Sequence, residues 1–97
     1  MLRLLKIRGD SLTPEFQEGD FVLVSKVPFF FSPVSPGDII AFRQPGYGLL
    51  IKRVQSVDRD GEIEVIGSHP DSIDSRVFGP IRDKDIIGKV IWHIRKG

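Results

Sequence analysis

Apolar residues in this chain recur at every second position or in short runs, and turn-forming residues break them at close intervals. Residues 2–7 alternate loosely, with Leu5 and Ile7 on one face and Leu4 and Lys6 on the other, which predicts a strand. Gly9 ends it. Thr13-Pro14-Glu15 reads as a helix start, with Thr13 as N-cap and Pro14 at the first helical position, and Glu18-Gly19-Asp20 stops that turn quickly. The β-branched run at 21–24 predicts a second strand. Further strands are predicted at 39–43, 49–57, 62–66 and 86–94. Gln44-Pro45-Gly46-Tyr47-Gly48 and Asp58-Arg59-Asp60-Gly61 form turns between them. Gly88 inside the last run marks a bulge. Residues 67–80 are rich in Gly, Ser, Pro and Asp and read as a loop.

The segment 27–36 fits neither period. Phe29, Phe30 and Phe31 lie between Pro28 and Pro33, and Pro36 follows. Prolines on both sides argue against a central strand or a helix, so a loop or bent edge segment is expected. The rings then either cap a small core or form an exposed apolar patch. Short strands with Gly/Pro turns, and no long amphipathic helix or repeat, predict an all-β fold: a coiled sheet or partly closed barrel. At 97 residues the chain suits one domain, 1–97, with a single modest core.

Charge and composition remove several function classes. A formal net charge of +1 gives no bulk electrostatic case for nucleic acid or anionic lipid. The absence of cysteine removes disulfides, thiolate zinc sites and a cysteine nucleophile, and fits a reducing compartment. His69 and His93 are the two imidazoles. The apolar runs are far shorter than the roughly 20 residues of a membrane-spanning helix. A protein without a membrane span is expected, cytoplasmic, with Phe29, Phe30 and Phe31 as the contact if it sits at a membrane.

Two residues could carry chemistry. Ser11 follows a strand and precedes a turn; it is either a local capping residue or a nucleophile lying near free backbone N–H groups. Lys52 sits in the apolar run Leu49-Leu50-Ile51-Lys52-Arg53-Val54. Residues two apart share a strand face, which groups Lys52 with Leu50 and Val54, and Arg53 with Ile51 and Gln55. Both faces are apolar, so periodicity does not say which cation is buried. A lysine can lose its proton when desolvated and then serve as a general base, whereas an arginine keeps its charge. The plainer alternative is a lysine that snorkels to water.

The order of several motifs resembles the Ser/Lys peptidases of the signal peptidase I and SOS-repressor type. Gly9-Asp10-Ser11-Leu12-Thr13-Pro14 and Gly19-Asp20-Phe21-Val22-Leu23-Val24 match the nucleophile box and the strand after it. Pro36-Gly37-Asp38-Ile39-Ile40-Ala41-Phe42 matches a second box and Lys52-Arg53-Val54 the lysine box. The run from Ser72 to Pro80 matches "Ser-x-Asp-Ser-Arg-x-Phe-Gly-Pro", which points to the signal peptidase side, and Ile87-Gly88-Lys89-Val90 the terminal box. The short form, without large insertions or amino-terminal anchors, resembles maturation proteases of this family such as the nickel-type superoxide dismutase maturation protease.

The resemblance implies a serine endopeptidase that removes an amino-terminal signal or pro-segment from a protein substrate bound as an extended peptide. It implies Ser11 as nucleophile, Lys52 as general base and Ser72 as the hydroxyl that orients the lysine. It implies a structural ion cluster of Arg53, Asp74 and Arg76, and one short helical turn after the nucleophile. The oxyanion hole would use the Ser11 N–H. The family's second donor, often a Ser or Thr hydroxyl, falls at Gly9, which has no side chain. No metal, cofactor or nucleic acid is implied. The alternative is a non-catalytic all-β module that keeps the fold and binds peptides.

Overall fold

In the computed structural model, which describes residues 2–8, 12, 15–68 and 70–96, six strands form one sheet. They are β1 (Leu2–Lys6), β2 (Phe21–Ser25), β3 (Ile39–Gln44), β4 (Gly48–Val57), β5 (Ile63–Ile66) and β6 (Ile86–Ile94). Their order across the sheet is β1-β2-β6-β3-β4-β5, and every pairing is antiparallel. The last strand in sequence therefore lies in the middle. The sheet is open, with β1 and β5 at its edges, in keeping with the expected all-β coiled sheet or partly closed barrel.

The alternation of apolar positions gives the sheet two buried faces. One carries Val22, Val24, Ile39 and Ala41, joined by Ile7, Leu12 and Phe16 from the segment between β1 and β2. Leu5 of β1 and Leu49 and Ile51 of β4 pack against this same cluster. Strands at positions one and five of the sheet can share a core only if the sheet coils, bringing β1 over β4. The other face carries Ile40, Phe42, Val54, Val65 and Ile86, covered by Ile81, Phe78, Phe29 and Val34 from the connecting segments.

Coiling requires local breaks in register. In β6 the pairing steps from Ala41↔Gly88 to Phe42↔Ile86, and from Leu23↔Trp92 to Val24↔Val90, so Ile87 and Ile91 are extra residues. A third shift lies between Val54 and Ser56 of β4. Bulges of this kind bend a strand and raise its twist. The bulge expected at Gly88 is thus present, and the glycine has a specific reason. A Cβ there would lie 2.8 Å from the Ser25 carbonyl carbon and 2.8 Å from Val24 Cγ1.

Two connections differ from expectation. Residues 27–36 contain a 3₁₀ turn, Val27–Phe30, with Pro28 in its first turn, where a missing N–H costs no hydrogen bond. Its three rings divide: Phe29 packs on the core, while Phe30 and Phe31 are 67% and 84% exposed. Within the loop 67–80 lies a short helix, α1 (Ser75–Phe78), capped by the Asp74 side chain, which accepts from the Arg76 N–H. The turn expected after residue 11 falls mainly outside the described residues; among those described, the Phe16 N–H donates to the Leu12 carbonyl at 3.0 Å. No helix among the described residues is long and apolar enough to cross a membrane.

Gly88→Ala is expected to lower stability by about 1–3 kcal/mol through overpacking against the β2 backbone, a fall in Tm on the order of 10 °C. Thermal unfolding followed by circular dichroism checks this. A Tm unchanged within error would show that β2 and β6 can part at no cost.

Candidate active site

β4 is paired on both sides only in its second half. β3 runs along it from Gly48 to Arg53, but β5 joins only from Arg53, paired with Ile66. Among the described residues, β5 does not reach along 48–52, and β1 is an edge strand of the sheet. Between these two edges lies a groove of about 570 Å³. Leu5, Ile7 and Arg8 form one wall, Leu49, Ile51 and Lys52 the other, and Asp71, Ser72 and Ile73 close one side.

Lys52 is 4% exposed. Strand geometry explains why: it shares its face with Leu50 and Val54 and lies directly across from Ile40 of β3, which is fully buried. Arg53 points to the opposite face. Its guanidinium pairs with Glu15 and donates to the Gly37 carbonyl at 3.4 Å, and it remains partly exposed. The question left open by periodicity, which of the two cations is buried, is answered in favour of Lys52.

Ser72 is buried and lines the groove with Lys52. The following residues hold that wall in place. Asp74 is fully buried and accepts from the Gly67 N–H (2.9 Å), the Arg76 N–H (3.0 Å), and Arg76 Nε and Nη2 (3.0 and 2.7 Å). Ser75 Oγ accepts from the Val65 N–H at 2.8 Å. The two side chains tie α1 to the end of β5 and fix residues 71–73 over the groove. Burial pushes the Asp74 carboxyl up, but the Arg76 side chain, the Gly67 and Arg76 amides and the guanidinium charge together outweigh it and hold the carboxyl at about 2.

The structure thus brings Lys52 and Ser72 to one groove and Asp74 and Arg76 to one ion pair. Arg53, expected in the same ion cluster, makes an ion pair with Glu15. Ser11 and Gly9 lie outside the described residues, as do Asp10, Thr13, Pro14 and His69; the flanking residues Arg8 and Leu12 both line the groove. Among the described residues no group of three or more His, Asp or Glu side chains converges as metal ligands would. Sequence reading missed Ser75 as an anchor and Leu5, Ile7 and Ile73 as groove walls. For the anchor the sequence offers only Asp74 ahead of Ser75-Arg76-Val77-Phe78, an N-cap residue type that ordinary turns also use. No signal existed for the walls, which depend on β1 meeting β4.

Known proteins resemble this chain over most of its length. The family model described as Peptidase S24-like matches residues 1–91. The chain is similar to signal peptidase I V of Bacillus subtilis, 28% identical over 136 residues that take in 88% of this chain and 81% of that protein. It is also similar to probable signal peptidase I-1 of Synechocystis, 42% identical over 57 residues, 50% of this chain and 29% of that protein.

Asp74→Ala is expected to destabilise the fold by about 2–4 kcal/mol, since four N–H donors of Gly67 and Arg76 lose their acceptor. The depressed carboxyl gives the pH sign. Its contribution is complete above the unfolded value near 4 and is lost as pH falls toward about 2. Denaturant midpoints measured from pH 6 to pH 2 should fall less in Asp74→Ala than in the parent. Equal acid sensitivity in both would remove Asp74 as a source of acid lability.

Proposed function

The chain belongs to the S24-like peptidase family, and on that premise we propose that it is a serine endopeptidase working through Ser11 and Lys52. Its substrate is a protein from which it removes an amino-terminal signal or pro-segment. The observation that carries this reading is a lysine 4% exposed on an apolar strand, beside a buried serine, at a groove lined by the residues flanking Ser11. Burial disfavours an ammonium and favours the neutral amine, which is the form a general base needs. The non-catalytic alternative has no use for a buried lysine at this place and expects its head group in water.

The chemistry then runs in two halves. Ser11 Oγ attacks the scissile carbonyl carbon as Lys52 Nζ takes its proton. The tetrahedral intermediate collapses, the C–N bond breaks, and the leaving amine takes the proton from Lys52. This leaves an ester on Ser11. Lys52 Nζ next deprotonates a water, whose oxygen attacks the ester carbon; the C–O bond to Ser11 then breaks, Ser11 Oγ takes the proton back from Lys52, and the acid product leaves. Ser72 orients the lysine through its hydroxyl. The Ser11 N–H donates to the oxyanion; Gly9 offers no side-chain donor, so a backbone group or water supplies the second.

The strand edges that border the groove suit an extended substrate. An extended peptide lying in the groove can add main-chain hydrogen bonds to β1 or to residues 48–52 of β4, with alternate side chains turned toward Leu5, Ile7, Leu49 and Ile51. Lys52 contributes a proton acceptor to that groove and Arg8 a positive charge at its wall.

Ser11→Ala and Lys52→Ala are each expected to lower kcat/KM at least ~1000-fold while leaving a folded domain. Lys52→Arg should be as inactive, since a guanidinium does not release its proton. Activity of the parent should fall as pH drops through the pKa of the buried lysine, because only the neutral amine is competent. Cleavage of a preprotein, followed by mass spectrometry of the new amino terminus, measures all three. Activity that persists in Ser11→Ala or Lys52→Arg would sink the dyad.

A further inference from the structure

The segment expected to carry the nucleophile runs between Ile7 and Phe16, and both of its flanks converge on Asp20. On the near side, the Ile7 N–H donates to the Asp20 carbonyl at 2.7 Å and the Gly19 N–H donates to the Ile7 carbonyl at 2.9 Å. These two bonds, made by Ile7 to the adjacent residues Asp20 and Gly19, carry the β1–β2 contact beyond Lys6↔Phe21. On the far side, the Gln17 N–H donates to Asp20 Oδ2 at 3.1 Å, and the Asp20 N–H donates to the Gln17 carbonyl at 3.0 Å. The segment is thereby closed at its base by one residue's backbone and side chain together.

Asp20 is in turn fastened to β6. His93 Nε2 lies 2.6 Å from Asp20 Oδ2, and the Lys96 N–H donates to Asp20 Oδ1 at 3.1 Å. The Phe16 ring stacks on the His93 imidazole, with centroids 4.4 Å apart and planes 29° from parallel. His93 therefore grips the segment twice, through the carboxylate that closes it and through an aromatic ring at its far end. The carboxylate is only 3% exposed, yet it accepts from three separate parts of the chain. Its pKa is lowered to about 2, chiefly by the His93 bond and then by the Gln17 amide. Neither residue lines the groove. Packing of the tail over this turn is close: a Cβ on Gly19, whose φ is +94°, would lie 2.7 Å from Lys96 Cδ.

We propose that Asp20 and His93 are positioning residues for the reaction: they clamp the two ends of the segment 8–15 to β6 and so set the place of the Ser11 hydroxyl relative to Lys52. This rests on the reading of Ser11 as nucleophile. β6 pairs with β3, and β3 pairs with the part of β4 that bears Lys52. A rigid path of paired strands thus links His93 to the base. A nucleophile misplaced by about 1 Å can cost ~100-fold in rate, so a clamp remote from the groove can matter to turnover.

The test uses the full chain with His93→Leu, which keeps apolar contact with Phe16 but removes the bond to Asp20, and His93→Gln, which keeps a donor. Amide hydrogen exchange over residues 8–18 reads the clamp without reference to catalysis. Below the onset of unfolding, His93→Leu should speed that exchange about tenfold, the equivalent of one charge-assisted hydrogen bond, and leave β3 and β4 unchanged. On a peptide substrate, kcat should fall ~10- to 100-fold with KM within about twofold, and His93→Gln should recover most of both effects. Unchanged exchange over 8–18 overturns the proposal whatever the activity. Faster exchange with unchanged kcat overturns it as well, since the clamp would then be purely structural. A parent-like Ser11→Ala would instead refute the nucleophile, leaving the exchange result to decide whether Asp20 and His93 hold the segment.

Discussion

The structure depends on one packing constraint: β1 and β4, far apart in the sheet, bury side chains in the same apolar cluster. A domain of this size cannot cover both faces of a flat six-stranded sheet. Coiling solves that by letting the sheet cover itself, and Leu5, Leu49 and Ile51 meet around Val22, Val24 and Ala41. The register shifts in β4 and β6 and the close approach at Gly88 are local consequences of the coil. So is the groove, which residues of β1 and β4 line together because the coil brings the two strands close.

Polar groups are handled at the ends of the strands. Asp20 and Asp74 are both buried, and each collects N–H groups from segments that have no ladder partner. A buried carboxylate is tolerated when its lone pairs are filled, and among the described residues no buried side-chain nitrogen or oxygen lacks a partner. The two carboxylates serve opposite sides of the groove. Asp74 holds the wall that carries Ser72, and Asp20 holds the flanks of the segment that carries Ser11. Chemistry placed on loops needs such anchors, because loops lack the regular hydrogen bonds that position residues on a strand.

Much of the fold was legible because period-two patterning and turn residues are local. The six strands fall where the alternation places them, and the bulge is where a glycine interrupts the last run. The short helix at Ser75–Phe78 was not legible: four residues give no helical period, and its cap is shared by ordinary Asp-containing turns. Pro28 misled in another way. It argues against a helix interior, yet a 3₁₀ turn has room for proline in its first turn. The expected grouping of Arg53 with Asp74 and Arg76 was a statement about space that residue order does not carry; among the described ion pairs, that guanidinium meets Glu15.

The sequence alone determined the strands, their class, and which residue types could act as nucleophile, base and orienting hydroxyl. Only the tertiary structure decided that Lys52 and not Arg53 goes into the dry interior. Alternation sends neighbouring residues to opposite faces of β4 but cannot say at which positions each face is covered. Ile40 across the strand and the wall held by Asp74 exclude water from one face, and Arg53 keeps access to water and to Glu15 on the other. Desolvation, which favours the neutral amine of a lysine, is a property of what lies above a side chain, and nothing in the order of residues along a strand records it.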